Sequence, residues 1–295
     1  MSSVVLAVDI GGTKIAVARV VEGVVVERRE APTPSREGPQ AVIRTVLSLI
    51  EDWKLKAAGL GVASGGVISR GRVIHANPRI LPDWEGLDLR AVFRATTGLV
   101  VEVLNDAQAA AWGEYRYGAG RGLESLAFVT VSTGIGAGLV LGGQLLTGAT
   151  GLAGHLGHTA YAPEGEVCGC GRRGCLETVT SGLALAEAAR RRLGIPLDAR
   201  MVLARAQDGD PEALALVDRA AAALAQALAD LQALVDPEAV VLGGGVGLNP
   251  FYRERLEAAL AHLPHIFRPR LRLAALGANS GLLGVADWVR QGSDR

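Results

Sequence analysis

Apolar runs of β-branched residues alternate with turn signals from the start of the chain: residues 4–8, then Gly11-Gly12, residues 15–20, then Glu22-Gly23, and residues 24–28. This spacing predicts an antiparallel meander of three strands. A proline-rich connection at 32–39 leads to a helical pattern over 41–53, with Val42, Val46, Leu47 and Ile50 on one face. Residues 58–63 return as a buried strand. After a loop rich in Gly, Pro and Asn, residues 89–97 read as a helix and 100–104 as a strand, which closes a β-β-β-α-β-α-β unit near Asn105.

A second meander then begins. Residues 126–131, 136–141 and 144–146 repeat the first layout, again with glycines in the first hairpin. Two similar α/β halves facing each other across a cleft explain the repetition. From 184 to 235 the chain is dominated by Ala, Leu and Arg at helical spacing, broken at Gly194-Ile195-Pro196 and at Asp208-Gly209-Asp210-Pro211. Asp210 before Pro211 has the form of an N-cap followed by proline in the first turn. Residues 240–242 read as a strand running into Gly243-Gly244-Gly245, and 251–263 as a helix.

Composition narrows the class. With 30 Lys+Arg against 30 Asp+Glu the 295-residue chain has no net charge, so no global positive field draws it to nucleic acid or to an anionic membrane. Hydrophobic residues at 49% and charged residues at 20% are those of a globular protein, not of a disordered or fibrous one. The stretch 125–163 contains no Asp, Glu, Lys or Arg, but Gly and Thr interrupt it too often for a membrane span, and it reads as buried strands and turns. Three cysteines make no disulfide framework and Met1-Ser2-Ser3-Val4 does not open a secretory signal, so a reducing cytoplasm is expected.

Four groups carry chemistry. Asp9-Ile10-Gly11-Gly12-Thr13-Lys14 places a carboxylate at a strand end before a glycine hairpin. Bare backbone amides there can approach a phosphate, Thr13 adds a hydroxyl, and Asp9 can hold Mg²⁺ directly or through water. A plain β-turn with a capping Asp fits the same spacing. Thr133-Gly134-Ile135-Gly136-Ala137-Gly138 follows the strand 126–131 as the first glycine turn follows 4–8, and two such hairpins could grip a nucleotide's phosphates. Gly244 and Gly245, after a third strand, would let an adenosine lie against bare backbone. No Gly-Lys-Ser or Gly-Lys-Thr occurs, and no G-x-G-x-x-G opens a helix, so neither a P-loop enzyme nor a dinucleotide dehydrogenase is supported.

Asn105-Asp106-Ala107-Gln108 lies where a strand meets an Ala-rich helix. Asp106 there could accept a proton from a hydroxyl nucleophile while Asn105 fixes a neighbouring hydroxyl, or the Asp could simply be an N-cap. His158, Cys168, Cys170 and Cys175, spaced H-x9-C-x-C-x4-C, use every cysteine in the chain. Such a set suits a structural, four-coordinate Zn²⁺ with no open position, and the glycines between the cysteines permit the tight loop.

Together, D-I-G-G-T-K, N-D-A, T-G-I-G-A-G, the G-L-A-G-H-L-G-H run from Gly151 and the C-G-C-G-x-x-G-C-L-E block ending at Glu177 resemble the ROK family of sugar kinases, in order along most of the chain. The resemblance implies an α/β protein with the actin-like ATPase (ribonuclease H-like) fold, two α/β domains around a cleft. These would be an N-terminal domain over 1–105, completed by a C-terminal helix at 280–295, and a C-terminal domain over 106–279 carrying the zinc loop and a helical insert. It further implies a homodimer that moves the γ-phosphoryl group of ATP, with Mg²⁺, onto a hexose hydroxyl. Asp106 would be the catalytic base, and the sugar would be held by Asn77, Asn105, His155, His158 and Glu177. His158 would serve twice, one ring nitrogen on zinc and the other toward the sugar.

Glucokinase-like members carry Glu where this chain has His155. A carboxylate accepts two hydroxyl hydrogen bonds, whereas a neutral imidazole accepts one and donates one, so the sugars fitted should differ. The run around His155 is similar to that of the family's bacterial kinases acting on the 6-hydroxyl of N-acetylmannosamine during sialic acid breakdown. Gly66, in the loop 63–67 with Gly65, leaves volume for an acetamide, although a plain turn explains it equally. Rival readings are a glucokinase or another hexose or N-acetylhexosamine kinase, an inactive sugar-binding module, and a sugar-sensing regulator. The regulator is disfavoured because such proteins carry a helix-turn-helix segment ahead of the kinase-like part, while Asp9 is ninth in this sequence.

Overall fold

A computed structural model describes residues 4–293. β1 (Val4–Ile10), β2 (Lys14–Val21) and β3 (Val24–Pro32) form the expected meander, followed by α1 (Pro39–Ile50) and β4 (Ala57–Ser64). Then come a hairpin of β5 (Val67–Ser69) and β6 (Arg72–His75), α2 (Leu89–Thr97) and β7 (Val101–Asn105). The five long strands form one sheet in the order β3-β2-β1-β4-β7, with β1, β4 and β7 parallel. β1 and β4 are buried along most of their length and therefore read as unbroken apolar runs, whereas the edge strand β3 alternates and buries no residue completely. Val42, Val46 and Ile50 of α1 pack with Leu6, Val8, Ile15 and Val17 in the core. The helix starts two residues before its apolar stripe because Pro39 sits in its first turn.

The chain continues through α3 (Asp106–Tyr117), β8 (Leu126–Val131), β9 (Ile135–Leu141) and β10 (Gln144–Leu146). Next are α4 (Glu177–Thr180), α5 (Gly182–Leu193), α6 (Ala199–Gln207) and the long α7 (Pro211–Val235). The last elements are β11 (Ala239–Gly243), α8 (Pro250–Ala261), β12 (Leu271–Leu273) and α9 (Ser280–Ser293). The second sheet, β10-β9-β8-β11-β12, repeats the order of the first: a meander followed by parallel strands. At the start of α7, Asp210 accepts hydrogen bonds from the amides of Glu212 and Ala213 at 3.0 and 3.1 Å, as its place before Pro211 predicts.

Two compact units emerge. One comprises residues 4–122, 138–154 and 275–293, the other 123–137 and 155–274. The division therefore falls after Gly122 instead of at the expected 105/106 boundary, because α3 packs along α9 and stays with the first unit. Two glycines make that packing close: a Cβ on Gly113 would overlap the Ser280 carbonyl, and one on Gly284 the Ala109 carbonyl. α9 also lies against β1, β4 and β7, while residues 294 and 295 of the expected C-terminal helix fall outside the described residues. No helix among the described residues is long and apolar enough to cross a membrane.

Candidate active site

In the first unit the expected residues converge on the N-terminus of α3. β7 runs into the helix without a loop, and Asn105 is the cap: its Oδ1 accepts from the amides of Ala107 and Gln108 at 3.0 and 3.1 Å. Its Nδ2 donates to the Gly66 carbonyl at 2.9 Å, so one of its two amide hydrogens is committed to the backbone. Asn105 is the N-cap, and Asp106 Oδ1 shares the Ala107 amide with it at 2.8 Å. Asp106, the first helical residue, is exposed. A Cβ on Gly65 would lie 3.9 Å from its Oδ2, which sets the bare Gly65-Gly66 backbone beside this carboxylate.

Asp9 is half-buried near the end of β1. Burial, followed by the negative charge of Asp106, pushes its carboxyl up to about 7, against the opposing pull of Lys14 and Arg28. Two carboxylates close enough to repel each other are a donor pair that suits a divalent cation. The Gly11-Gly12 hairpin is closed by the Gly11 amide on the Lys14 carbonyl at 3.0 Å. Thr33 braces it from the neighbouring strand end, its hydroxyl on the Gly11 carbonyl at 2.7 Å and its amide on the Thr13 carbonyl at 3.0 Å. Thr13 is exposed, while Lys14 reaches across the sheet to Glu30 at 2.8 Å, a half-exposed pair. The Asn77 turn sits alongside: a Cβ on Gly12 would run into Ile80, and the Asn77 carbonyl accepts from the amides of Ile80 and Leu81. Asn77 Oδ1 accepts from the Arg79 amide at 3.0 Å.

In the second unit, the carbonyls of Ser132 and Thr133 accept from the Gly182 and Leu183 amides at the start of α5. The other glycine loop meets the same strand end, with the Val246 and Gly247 amides both on the Val131 carbonyl at 3.0 Å. Gly244 has φ +84 and abuts that carbonyl, whereas Gly245 is exposed with open space where a Cβ would be. These loops lie at the carboxyl ends of parallel β8 and β11, where open α/β sheets bind ligands. Gly136 is half-buried in β9. Gly138 requires a correction: it is buried against α3, next to Ala107 and Ala111, so it serves helix packing and offers no free backbone to a phosphate.

His155 and His158 flank a short 3₁₀ turn with their rings stacked at 6.2 Å. Cys168 Sγ lies 3.7 Å from His158 Nδ1, Cys170 Sγ lies 3.6 Å from Cys175 Sγ, and all four donor atoms fall within 4.8 Å of one another. Tetrahedral Zn–S bonds of about 2.3 Å place neighbouring ligands roughly 3.8 Å apart, so the set is close to zinc geometry. Burial pushes the Cys168 thiol up to about 12 and also raises that of Cys175, where the Cys170 thiol adds to the effect. Thiols so crowded ionise together only with a cation among them.

A sequence model of the ROK family matches residues 5–292. The chain belongs to the ROK family. An N-acetylmannosamine kinase from Yersinia pestis is 45% identical over 288 residues, 97% of this chain and 98% of that protein. The ROK hexokinase from Thermus thermophilus superposes with a TM-score of 0.86 at 37% identity, covering 99% of each chain. A ROK family glucokinase from Streptomyces griseus, solved with glucose and AMPPNP, gives 0.84 at 32% identity over 98% of this chain and 100% of that one. The fold is therefore the actin-like ATPase fold of the ROK sugar kinases.

Several residues that support the ROK motifs escape a sequence reading. Thr33 has no motif around it. Buried Ser64 accepts from Trp84 Nε1 at 3.0 Å at the end of β4. Gln108 is buried and donates to the carbonyls of Gly151 and Ala153 at 3.3 and 3.0 Å, fixing the glycine run that precedes His155. A buried Gln one turn into a helix beside N-D was the available signal.

Proposed function

We propose that this ROK protein is a kinase that transfers the γ-phosphoryl group of ATP to the 6-hydroxyl of N-acetylmannosamine. The observation that carries the reading is Asp106: its carboxylate is exposed at the helix N-terminus, where Oδ1 accepts from the Ala107 amide at 2.8 Å, and it stands beside the bare Gly65 backbone and close enough to Asp9 to raise that carboxyl. Asp106 accepts the 6-hydroxyl proton as that oxygen attacks the γ-phosphorus and the bond to the β–γ bridging oxygen breaks, releasing ADP and the sugar 6-phosphate. Mg²⁺, held through Asp9, would neutralise charge on the phosphates. Gly12, Thr13, Lys14, Thr133, Gly134 and Gly136 serve the phosphates with backbone amides, hydroxyls and a cation, Gly11 shapes the first hairpin through its amide on the Lys14 carbonyl, and Gly244 and Gly245 lie under the nucleoside.

Asn77, Asn105, His155, His158 and Glu177 bind sugar hydroxyls. Gly66 requires a correction: its φ is +99 and the His75 carbonyl and Ala76 pack where its Cβ would be, so it does not leave the expected volume for an acetamide. His158, Cys168, Cys170 and Cys175 would hold a structural Zn²⁺. The substrate rests on the near full-length similarity to the Yersinia N-acetylmannosamine kinase together with His155. A homodimer in the cytoplasm belongs to the same reading, and three free thiols suit that compartment.

The test is ADP release with Mg²⁺-ATP, comparing kcat/KM for N-acetylmannosamine, N-acetylglucosamine, mannose and glucose. A lead for N-acetylmannosamine supports the reading, and a lead for glucose would make the protein a glucokinase despite His155. Asp106→Ala should lower kcat by roughly 10²-fold or more with an unchanged melting temperature. Near-wild-type turnover in that variant would remove Asp106 from the mechanism.

A further inference from the structure

Glu177, at the start of α4, is bonded to more than a sugar site requires. Its Oε2 accepts from the Ile135 amide at 2.9 Å, and a Cβ on Gly134 would fall 2.5 Å from the same oxygen. Its Oε1 lies 3.8 Å from Cys168 Sγ. One half-buried carboxylate thus touches both the Thr133–Gly136 turn and the Cys/His cluster. Ile135 is gripped from a second side, because the histidine turn rests on it: a Cβ on Gly157 would collide with its carbonyl. Glu177 follows Cys175 by two positions, and both Cys175 and the intervening Leu176 are fully buried, so whatever fixes Cys175 fixes the root of the carboxylate.

We propose that Glu177 is a positioning residue that locks the Thr133–Gly136 turn to the Cys/His cluster, so that a divalent metal in the cluster sets the affinity of that turn for nucleotide phosphates. The proposal rests on the kinase reading above and goes beyond it, since there Glu177 serves only the sugar. A backbone anion site works when its amides are already oriented; the start of this turn is held by the α5 amides on the Ser132 and Thr133 carbonyls, and its Ile135 amide by the Glu177 carboxylate. If the metal leaves, the loop through Cys168 and Cys175 loses its cross-link and the carboxylate loses its fixed root. Oε1 retains acceptor capacity for a sugar hydroxyl, so the two roles coexist.

The experiment is calorimetric titration of Mg²⁺-ADP, without sugar, into zinc-loaded wild type, Glu177→Ala, Glu177→Gln, and wild type stripped by a chelator and then resupplied with Zn²⁺. Amide exchange at Ile135 is followed in each. Loss of the acceptor in Glu177→Ala, and of its fixed root in stripped protein, should each weaken ADP about tenfold. Glu177→Gln, whose side-chain oxygen still accepts from Ile135, should stay within about threefold of wild type. Ile135 exchange should be slow in wild type and Glu177→Gln, fast in Glu177→Ala and stripped protein, and slow again once Zn²⁺ returns.

Unchanged ADP affinity in Glu177→Ala and in stripped protein, with altered sugar KM alone, would overturn the proposal and leave the kinase reading standing. Wild type that binds no ADP would overturn both. Should Glu177→Ala fail to fold, the stripped and restored protein and the Ile135 exchange in Glu177→Gln decide the matter.

Discussion

Asp9 and Glu114 are both carboxylates drawn away from water, and they meet different partners. Burial and then the negative charge of Asp106 outweigh the pull of Lys14 and Arg28 on Asp9, and its carboxyl is raised to about 7. From about pH 4 to 7 the unfolded chain releases this proton while the folded protein holds it. The stability that the neutral form provides is therefore complete below pH 4 and is lost as pH rises through 7. Asp9→Asn should have nearly the wild-type melting temperature at pH 4 and a higher one at pH 8 in metal-free buffer, while losing turnover. An equal gain at both pH values would show that buried charge is not the cost. Glu114 is fully buried in α3 and accepts from the amides of Ala119, Ala275 and Leu276 and from the Ser280 hydroxyl at 2.8–3.0 Å. Glu114→Gln turns an amide donor toward those donors and should cost about 2 kcal/mol or more, read from urea denaturation.

At the scale of elements, α3 and α9 are joined by glycines. A valine at position 284 would force the helices apart or displace the Ala109 carbonyl, and overpacking of this kind costs about 1–3 kcal/mol. Gly284→Val should lower the melting temperature by several degrees, and because α3 carries Asp106 at its start it should reduce kcat as well. A variant with unchanged stability would show that the helices can re-space freely. Helix and strand positions were legible here because apolar spacing within one element predicts them: the meander, α1 and α7 fall where their patterns put them. The β5–β6 hairpin and β12 were not: three or four residues leave too short a pattern by themselves, and unlike the equally short β10 they do not continue a meander already begun.

Across the whole molecule, the Cys/His cluster is where chemistry and stability meet. Four donors at zinc spacing tie a loop that otherwise has short 3₁₀ and turn segments and few buried apolar side chains. Chelation should lower the melting temperature and raise the sugar KM more than it lowers kcat, and Zn²⁺ should reverse both effects. Metal analysis that finds no zinc bound to purified protein, with full activity, would refute the structural role. The repeated sheet order accounts for the pairing of glycine turns seen in the sequence: each half places its hairpin after its first strand.

The sequence by itself determined the features written within a few residues: strand and helix periods, the two glycine hairpins, the Asp210 cap and the spacing of His158 with the three cysteines. These depend on backbone geometry and ligand reach along a short segment. Only the tertiary structure decided which carboxylate does what. Asp106 reads equally as a base or as an N-cap until the Ala107 and Gln108 amides are seen on Asn105. The partners of Glu114 lie at residues 275, 276 and 280, more than 160 positions along the chain. Gly138 shares a motif with Gly134 yet packs on α3, and Glu177 meets Ile135 across 42 positions of sequence. Such partners are chosen by the packing of distant elements, which no local period encodes.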